Sequence, residues 1–331
     1  MEHYKNIQPR VVEHRRILHT IPEVGSFLPQ TAAYVESQLK KMGISYQKSP
    51  VDSGILATIQ GSAPGRCIAF RADMDALPIQ EQTSLPFSSQ ISGCMHACGH
   101  DAHTAILLGT AEVLTHCRNQ FSGTVKLLFQ ANEEACQGAK QMIADGFLEN
   151  PKPDALLSLH VGVLDEALSS GQIGIYSGNV MASSDRFDIY IKGRGGHGSH
   201  PEETVDPISI AAQVIGALQC LISRETNAQE ASVLSFCSIE GGNTYNVIPD
   251  CVHVRGTIRT LNPETRRFIV TRMPEIAQGI ASAMRAEASV IIEETTPVLK
   301  NDPALASFAA DAARSFLPDD LVITHLKQAN M

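Results

Sequence analysis

Three scarcities in this 331-residue chain each exclude something. Basic residues are outnumbered: 26 Lys and Arg against 35 Asp and Glu leave a formal net charge of −9. Nucleic-acid binders need clustered Lys and Arg to displace phosphate counterions, so no nucleic-acid partner is expected. Long apolar runs are missing: no stretch of eighteen apolar residues occurs, and no membrane span is expected. The first residues, Met1 to Asn6, are polar and lack the apolar centre of a signal peptide. The eight cysteines are an even number, which in a small secreted protein would suggest disulfides. In a chain this long without an export signal, buried thiols plus a ligand are the expectation, and cytoplasm is the expected location.

No internal repeat or low-complexity tract is visible, and the length favours two domains over one core. An apolar content of 43% with 18% charged residues is ordinary for a globular protein. The pattern predicts helix over 11–42, broken at Pro22, with a second helix from about 30 to a stop at Gly43. Strands are expected over 54–59, 67–71, 124–130 and 155–160, and a helix over 104–116. Alternating strand and helix favours an α/β layer with a largely parallel sheet. Beyond Ser183 the character changes. Strands at 186–192, 232–237, 252–259 and 288–293, with helices at 206–223 and 263–287, give a β-α-β-β-α-β order that fits a ferredoxin-like module.

Chemistry concentrates at 95–103, Met-His-Ala-Cys-Gly-His-Asp-Ala-His. A thiol, imidazoles and the nearby carboxylates suit a zinc- or manganese-class ion, since ligand type selects among divalent metals. Cys98 and His100 lie two apart on a loop entering a helix, where both side chains can reach one ion; alone, they could be incidental polar residues. Asp73, Glu133, Glu134 and His160 fall at strand ends, the edge at which open α/β sheets bind ligands. A structural zinc site would use four closed Cys or His ligands and no spare acid, so this mixed set argues for an open one. Adjacent acids such as Glu133-Glu134 are commonly a solvated loop. Beside a metal, one can ligate while the other takes a proton from the attacking water. His96 and His103 suit supporting or helix-capping roles equally well, and Asp101 is expected to orient a histidine.

Further on, Gly193-Arg-Gly-Gly-His197-Gly-Ser-His200 presents imidazole on a glycine-rich turn. A loop histidine is usually solvated; flanking glycines suggest close approach to something. Asn246 and Arg259 could bind a substrate carboxylate, Arg259 through its bidentate fork, or could be ordinary strand-end polar residues.

The ordered motifs Arg71-Ala-Asp-Met-Asp-Ala-Leu-Pro78, Met95-His-Ala-Cys-Gly-His-Asp101, Glu133-Glu134, Leu159-His160-Val161, Gly195-Gly-His-Gly198 and Asn246-Val-Ile-Pro249 resemble a known family. They are similar to the amidohydrolase branch of the di-metal aminoacylase and carboxypeptidase metallopeptidases, which includes hippurate hydrolases, N-acyl-amino-acid deacylases and auxin-conjugate hydrolases. The resemblance implies an α/β fold: a zinc-peptidase-like mixed sheet flanked by helices, with an inserted ferredoxin-like α+β lid and dimerisation domain. The catalytic domain would comprise 1–180 and 296–331, and the lid 181–295. It further implies two Mn2+ or Zn2+ ions per subunit on Cys98, His100, Glu134 and His160, with Glu133 as general base. Asp73, Asp75 and Asp101 would support the ligands. His197 would reach the active site of the partner subunit in a homodimer and stabilise the oxyanion, and Asn246 and Arg259 would hold substrate.

Three departures qualify the likeness. Ala131-Asn132 stands where the family has Pro-Ala, and Glu202 follows Pro201 where a histidine is common. The chain also stops at Met331, short of a segment in which the family carries a last metal-binding histidine, so it is expected to be truncated at its C-terminus. The expected activity is metal-dependent hydrolysis of the amide of an N-acyl amino acid. A dipeptidase or carboxypeptidase with the same chemistry, and a catalytically inactive metal-binding fragment, are the alternatives.

Overall fold

Proline and glycine punctuate the first helices. Helix α1, Gln8–Thr20, carries Pro9 in its first turn, where no amide hydrogen is needed, and ends before Pro22. Helix α2, Pro29–Lys41, starts on a proline and is followed by Gly43 at φ +68°. In the computed structural model residues 7–162 and 168–325 are described, so the end of the chain at 326–331, on which the truncation expectation turns, lies outside them. The chain divides into two units, Met1–Val163 and Leu164–Met331.

The first unit is built on a five-stranded sheet. Its strands are β1 (Ser45–Lys48), β2 (Ile55–Gln60), β3 (Cys67–Asp73), β4 (Thr124–Gln130) and β5 (Ala155–Ser158), in the order β1-β2-β4-β3-β5. β3 runs parallel to β4 and β5, whereas β2 is antiparallel to both of its neighbours. The sheet is therefore mixed rather than largely parallel. The short connection 49–54 can join only antiparallel strands, because a parallel crossover needs a dozen or more residues. Every residue of β4 is buried, as a central strand covered on both faces requires. One face packs Leu28, just before α2, with Val35 and Leu39 of that helix, and Leu107, Leu108 and Ala111 from helix α3 (His100–His116). Met142 of helix α4 (Gly138–Ala144) and Phe147 pack against Leu56, Ala69 and Leu128 on the other.

Helix α3 begins at His100, four residues earlier than expected. Its start has no side-chain cap; instead Gly99 at φ +84° turns the chain into the helix, and a Cβ there would strike Val161.

In the second unit come β6 (Ile173–Gly174), β7 (Gly178–Met181), β8 (Ser184–Lys192), β9 (Gly196–His197), α5 (Pro207–Cys220), β10 (Ser232–Glu240), β11 (Val247–Ile248), β12 (Cys251–Thr260), α6 (Pro263–Ala283), β13 (Glu287–Thr296), β14 (Leu299–Asn301), α7 (Pro303–Arg314) and β15 (Val322–Ile323). The antiparallel sheet β10-β12-β8-β13 has the strand order of a ferredoxin-like module. Asp206 caps α5 by accepting from the amide of Ile208, and Asn262 caps α6 by accepting from that of Glu264. The stretch Pro207–Glu225 is long and apolar enough to cross a membrane by composition, with a mean hydropathy of 1.3. Its Ile210, Ala211, Val214 and Leu218 are instead buried in the core between α6 and the sheet. On either side of the module, β6 pairs with β15 and β7 with β14.

Candidate metal centre

Because β3, β4 and β5 run in one direction, their C-terminal ends share an edge of the sheet. Asp73 ends β3 and Asp75 follows; Glu133 and Glu134 lie just past β4. His160 stands two residues beyond β5, which ends at Ser158 rather than at the histidine. The start of α3 adds Cys98 and His100. Three overlapping groups bring ligand atoms within 4.8 Å of one another: Cys98 with His100 and His160, His100 with Glu133 and Glu134, and Asp73 with His100 and His103. His100 is common to all three.

The imidazole of His100 is aimed by its own sheet edge. Its Nδ1 donates to the backbone carbonyl of Asp75 at 2.8 Å, which turns Nε2 into the cluster. There Nε2 lies 3.8 Å from Glu134 Oε1, 3.9 Å from Glu133 Oε2 and 3.7 Å from Asp73 Oδ2. Both His100 Nε2 and Glu134 Oε1 are buried, and neither has a hydrogen-bond partner among the described residues. Buried polar atoms are ordinarily paired, so two that face each other without a bond call for a partner, and a bound cation between them would be one. The Sγ of Cys98 stands 3.4 Å from His160 Nε2, and the Nδ1 of His160 donates to the carbonyl of Val161 at 2.7 Å.

Titration behaviour follows from so much negative charge in one place. Burial pushes the Cys98 thiol up, and Glu134, Glu133 and Asp73 push it further, to about 12. Burial lowers His100, but the Asp75 hydrogen bond and the carboxylates of Asp73 and Glu133 outweigh it and raise the imidazole to about 9. Glu133 is raised by burial and by repulsion from Asp73. His160 is lowered by burial and by neighbouring His103. A cluster that holds protons on a thiol and an imidazole because acids surround them is one that a divalent cation would discharge. The donor set of sulfur, nitrogen and oxygen with two unpaired buried atoms fits such an ion.

Other polar groups here are already spoken for. Asp73 accepts from His103 Nδ1 at 2.6 Å and from Arg71 Nη1 at 2.7 Å. Burial alone would raise its pKa, yet these bonds and the Arg71 charge hold it well below the usual carboxylate range. His103 also receives the Val161 amide on Nε2 at 2.8 Å, so both of its nitrogens are engaged. Asp75 accepts from the amides of Glu133 (2.9 Å) and Glu134 (3.1 Å), clamping the pair where Asn132 turns at φ +56°. Asp101 pairs with His19 Nδ1 of α1 at 2.8 Å and with Arg15 at 2.8 Å, and not with an imidazole of the ligand groups.

Sequence reasoning passed over Arg71 and His19. Arg71 stands two residues before Asp73 on the same strand face, a usable signal. A lone histidine in a helix gives none.

In the second unit β9 pairs with β11, setting Val247 opposite His197, while the Gly198 amide donates to the carbonyl of Asn246 at 2.8 Å. The structure thus brings His197 and Asn246 together on an exposed turn. Arg259 lies elsewhere: it pairs with Val233 at the far end of β12, roughly 25 Å of extended strand from this turn. Among the described residues, which include all eight cysteines, no disulfide forms.

The pattern of Peptidase family M20/M25/M40 matches residues 69–329. An N-acetyl-L-cysteine deacetylase of Bacillus subtilis is 39% identical over 307 residues, 93% of this chain and 73% of the relative. An N-acyl-L-amino acid amidohydrolase of Geobacillus stearothermophilus is 40% identical over 278 residues, 84% of this chain and 74% of the relative. The crystal structure of a dinuclear metal binding peptidase of the M20 family from Bacillus subtilis superposes with a TM-score of 0.83 at 36% identity. That likeness covers 99% of this chain and 84% of the other.

Proposed function

The chain belongs to the peptidase family M20/M25/M40, and on that premise we propose that it hydrolyses the amide bond of N-acyl amino acids. The acyl-amino-acid class is supported by what the deacetylase and amidohydrolase relatives are named for. Cys98, His100, Glu134 and His160 would hold two divalent ions, Mn2+ or Zn2+. The observation that carries this reading is the buried pair His100 Nε2 and Glu134 Oε1, 3.8 Å apart and unbonded. Bound ions would supply Lewis acidity at the scissile carbonyl and bring the pKa of a water towards neutrality.

The chain's own residues do the rest. Glu133 is the base: its carboxylate takes a proton from the attacking water and later delivers one to the leaving nitrogen. Asp75 fixes the backbone of Glu133 and Glu134 so that one acid ligates and the other stays free. Asp73 fixes His103, which in turn holds the Val161 amide beside His160. His197 donates to the developing oxyanion, and Asn246 and Arg259 bind the substrate carboxylate. Since Arg259 lies at the far end of β12 from the turn that carries Asn246, one carboxylate would meet them from two subunits, with 181–295 as lid and dimerisation module inserted between 1–180 and 296–331.

Glu133→Gln tests the assignment. It should keep the wild-type metal content while turnover of N-acetyl and N-benzoyl amino acids falls by about a thousandfold. Retained turnover would refute the role of Glu133, and faster cleavage of dipeptides than of acyl amino acids would overturn the substrate class.

A further inference from the structure

The first turn of α3 carries His100 and His103, yet it lacks the capping side chain that usually secures a helix start. Two faces hold it instead. Towards the sheet, His100 bonds Asp75, His103 bonds Asp73, and the Thr104 hydroxyl donates to the carbonyl of Asp73 at 2.9 Å. On the opposite face Asp101 points towards α1. It is 1% exposed, and one of its oxygens accepts from both His19 Nδ1 and Arg15 Nε. His19, itself 2% exposed, reaches past Asp101 with Nε2 3.4 Å from Glu81 Oε1. Glu81 belongs to the irregular segment 79–95 that leads into Cys98, and it also accepts from the Ser89 amide and the Thr83 hydroxyl. The same segment is fastened to α1 by Phe87, with the guanidinium groups of Arg15 and Arg16 each 5.1 Å from its ring. His96, just past the segment, has its ring 6.3 Å from that of His19.

We propose that His19 is a positioning residue for the hydrolytic centre: through Asp101 it fixes the helix turn that presents His100, and through Glu81 it couples that turn to the segment delivering Cys98. The inference rests on the assignment of Cys98 and His100 as metal ligands. Nitrogen and sulfur donors two residues apart must keep a fixed spacing to share an ion. An uncapped turn keeps it only while both of its faces are pinned.

Isosteric variants separate the two halves of the contact. In His19→Asn the new amide nitrogen sits where Nδ1 does and can still bond Asp101. In His19→Gln it sits where Nε2 does and meets only Glu81. The full chain, wild type and variant, is loaded with Co2+. The thiolate-to-cobalt absorption band, the rate of metal loss to EDTA, and kcat and KM on an N-acetyl amino acid are then measured. His19→Ala and His19→Gln should shift or weaken the band, lose cobalt about tenfold faster and lower kcat about tenfold with KM little changed. His19→Asn should restore all three towards wild type. A His19→Gln protein with the wild-type band, metal-loss rate and kcat overturns the proposal, whatever its melting temperature. So does a His19→Asn protein no better than His19→Gln. A wild-type chain showing no thiolate band would fail the ligand assignment itself, an outcome distinct from both.

Discussion

The two units position their candidate residues by opposite means. In the first, His100, Asp73 and Asp75 are each 1% exposed and are aimed by hydrogen bonds between buried groups. In the second, His197 and Asn246 are exposed, beside a Tyr245 that is fully in solvent, and backbone pairing and glycine place them. His100, Asp73 and Asp75 are committed before any ligand arrives, each polar atom bonded within the protein or left facing its neighbour, whereas Cys98, Glu133 and Glu134 are half-buried and His160 is exposed. An exposed turn carries no such commitment. Two orphaned atoms that face each other across the first unit's cluster are what a ligand position there would leave, while in the second unit only the backbone constrains what the side chains meet.

The comparison breaks most sharply at His100. His100→Ala removes the one imidazole shared by all three ligand groups. Metal content should fall and turnover should drop by more than about a thousandfold, since a missing ligand costs more than a missing supporting partner. Metal analysis by mass spectrometry beside an amine-release assay checks it, and full metal occupancy would show that the orphaned atoms mark nothing. His197→Ala should act on turnover alone. A lost oxyanion donor costs about a hundredfold to a thousandfold in kcat, with metal content and melting temperature kept. Parallel loss of metal would mean that His197 is a ligand.

Glycine dependence sharpens the contrast within the second unit. A Cβ on Gly195 would lie 2.5 Å from the carbonyl oxygen of Ile248 and 3.0 Å from Asp250 Oδ1, which accepts the Gly195 amide. Gly195→Ala must therefore push β9 from β11, at a cost of about 1–3 kcal/mol of the kind overpacking exacts. Turnover should fall about tenfold through displacement of His197, without change in metal content. Unaltered kcat would show that the turn's geometry does not matter.

Much of this was legible in the chain. The strands ending at Asp73, ahead of Glu133 and ahead of His160 stand out as short apolar runs with acids or imidazole at their ends. The ferredoxin-like order followed from alternation and from helix starts at Asp206-Pro207 and Pro263. The start of α3 was not legible, because nothing in Cys-Gly-His-Asp caps a helix. Contacts with Asp73, Asp75 and His19, distant in sequence, hold it instead. β1 was passed over because Ser45-Tyr-Gln-Lys48 is a polar edge strand, and the mixed pairing because strand direction depends on how connections run. The distinction between a ligand and a scaffold carboxylate was equally hidden. Glu134 and Asp73, each in one of the groups that could hold an ion, look alike as residues, and only the fold shows that other side chains already occupy the oxygens of Asp73.

His96 belongs to neither pattern and gives the smallest effect. It is 5% exposed and both ring nitrogens are without hydrogen-bond partners among the described residues. Burial lowers its pKa from 6.5 to about 4, against the opposing charge of Asp101. A histidine whose folded pKa lies below its unfolded one binds protons more readily when unfolded. Proton linkage at this ring therefore adds no cost above pH 6.5 and destabilises progressively as pH falls from 6.5 towards 4. Phenylalanine fills nearly the same space with no nitrogen to leave unpaired, an exchange that can be close to neutral. In metal-free protein, where His100 and His19 are raised and favour the folded state on the acid side, the difference between wild-type and His96→Phe melting curves isolates the one ring. The variant should match wild type at about pH 7.5 and gain on it steadily down to about pH 4.5. A constant gap across that range would mean that folding leaves the pKa of His96 unshifted, and wild type gaining on the variant as pH falls would mean that His96 is protonated in the fold, paired with Asp101 as part of the clamp on α3 rather than a neutral filler beside it.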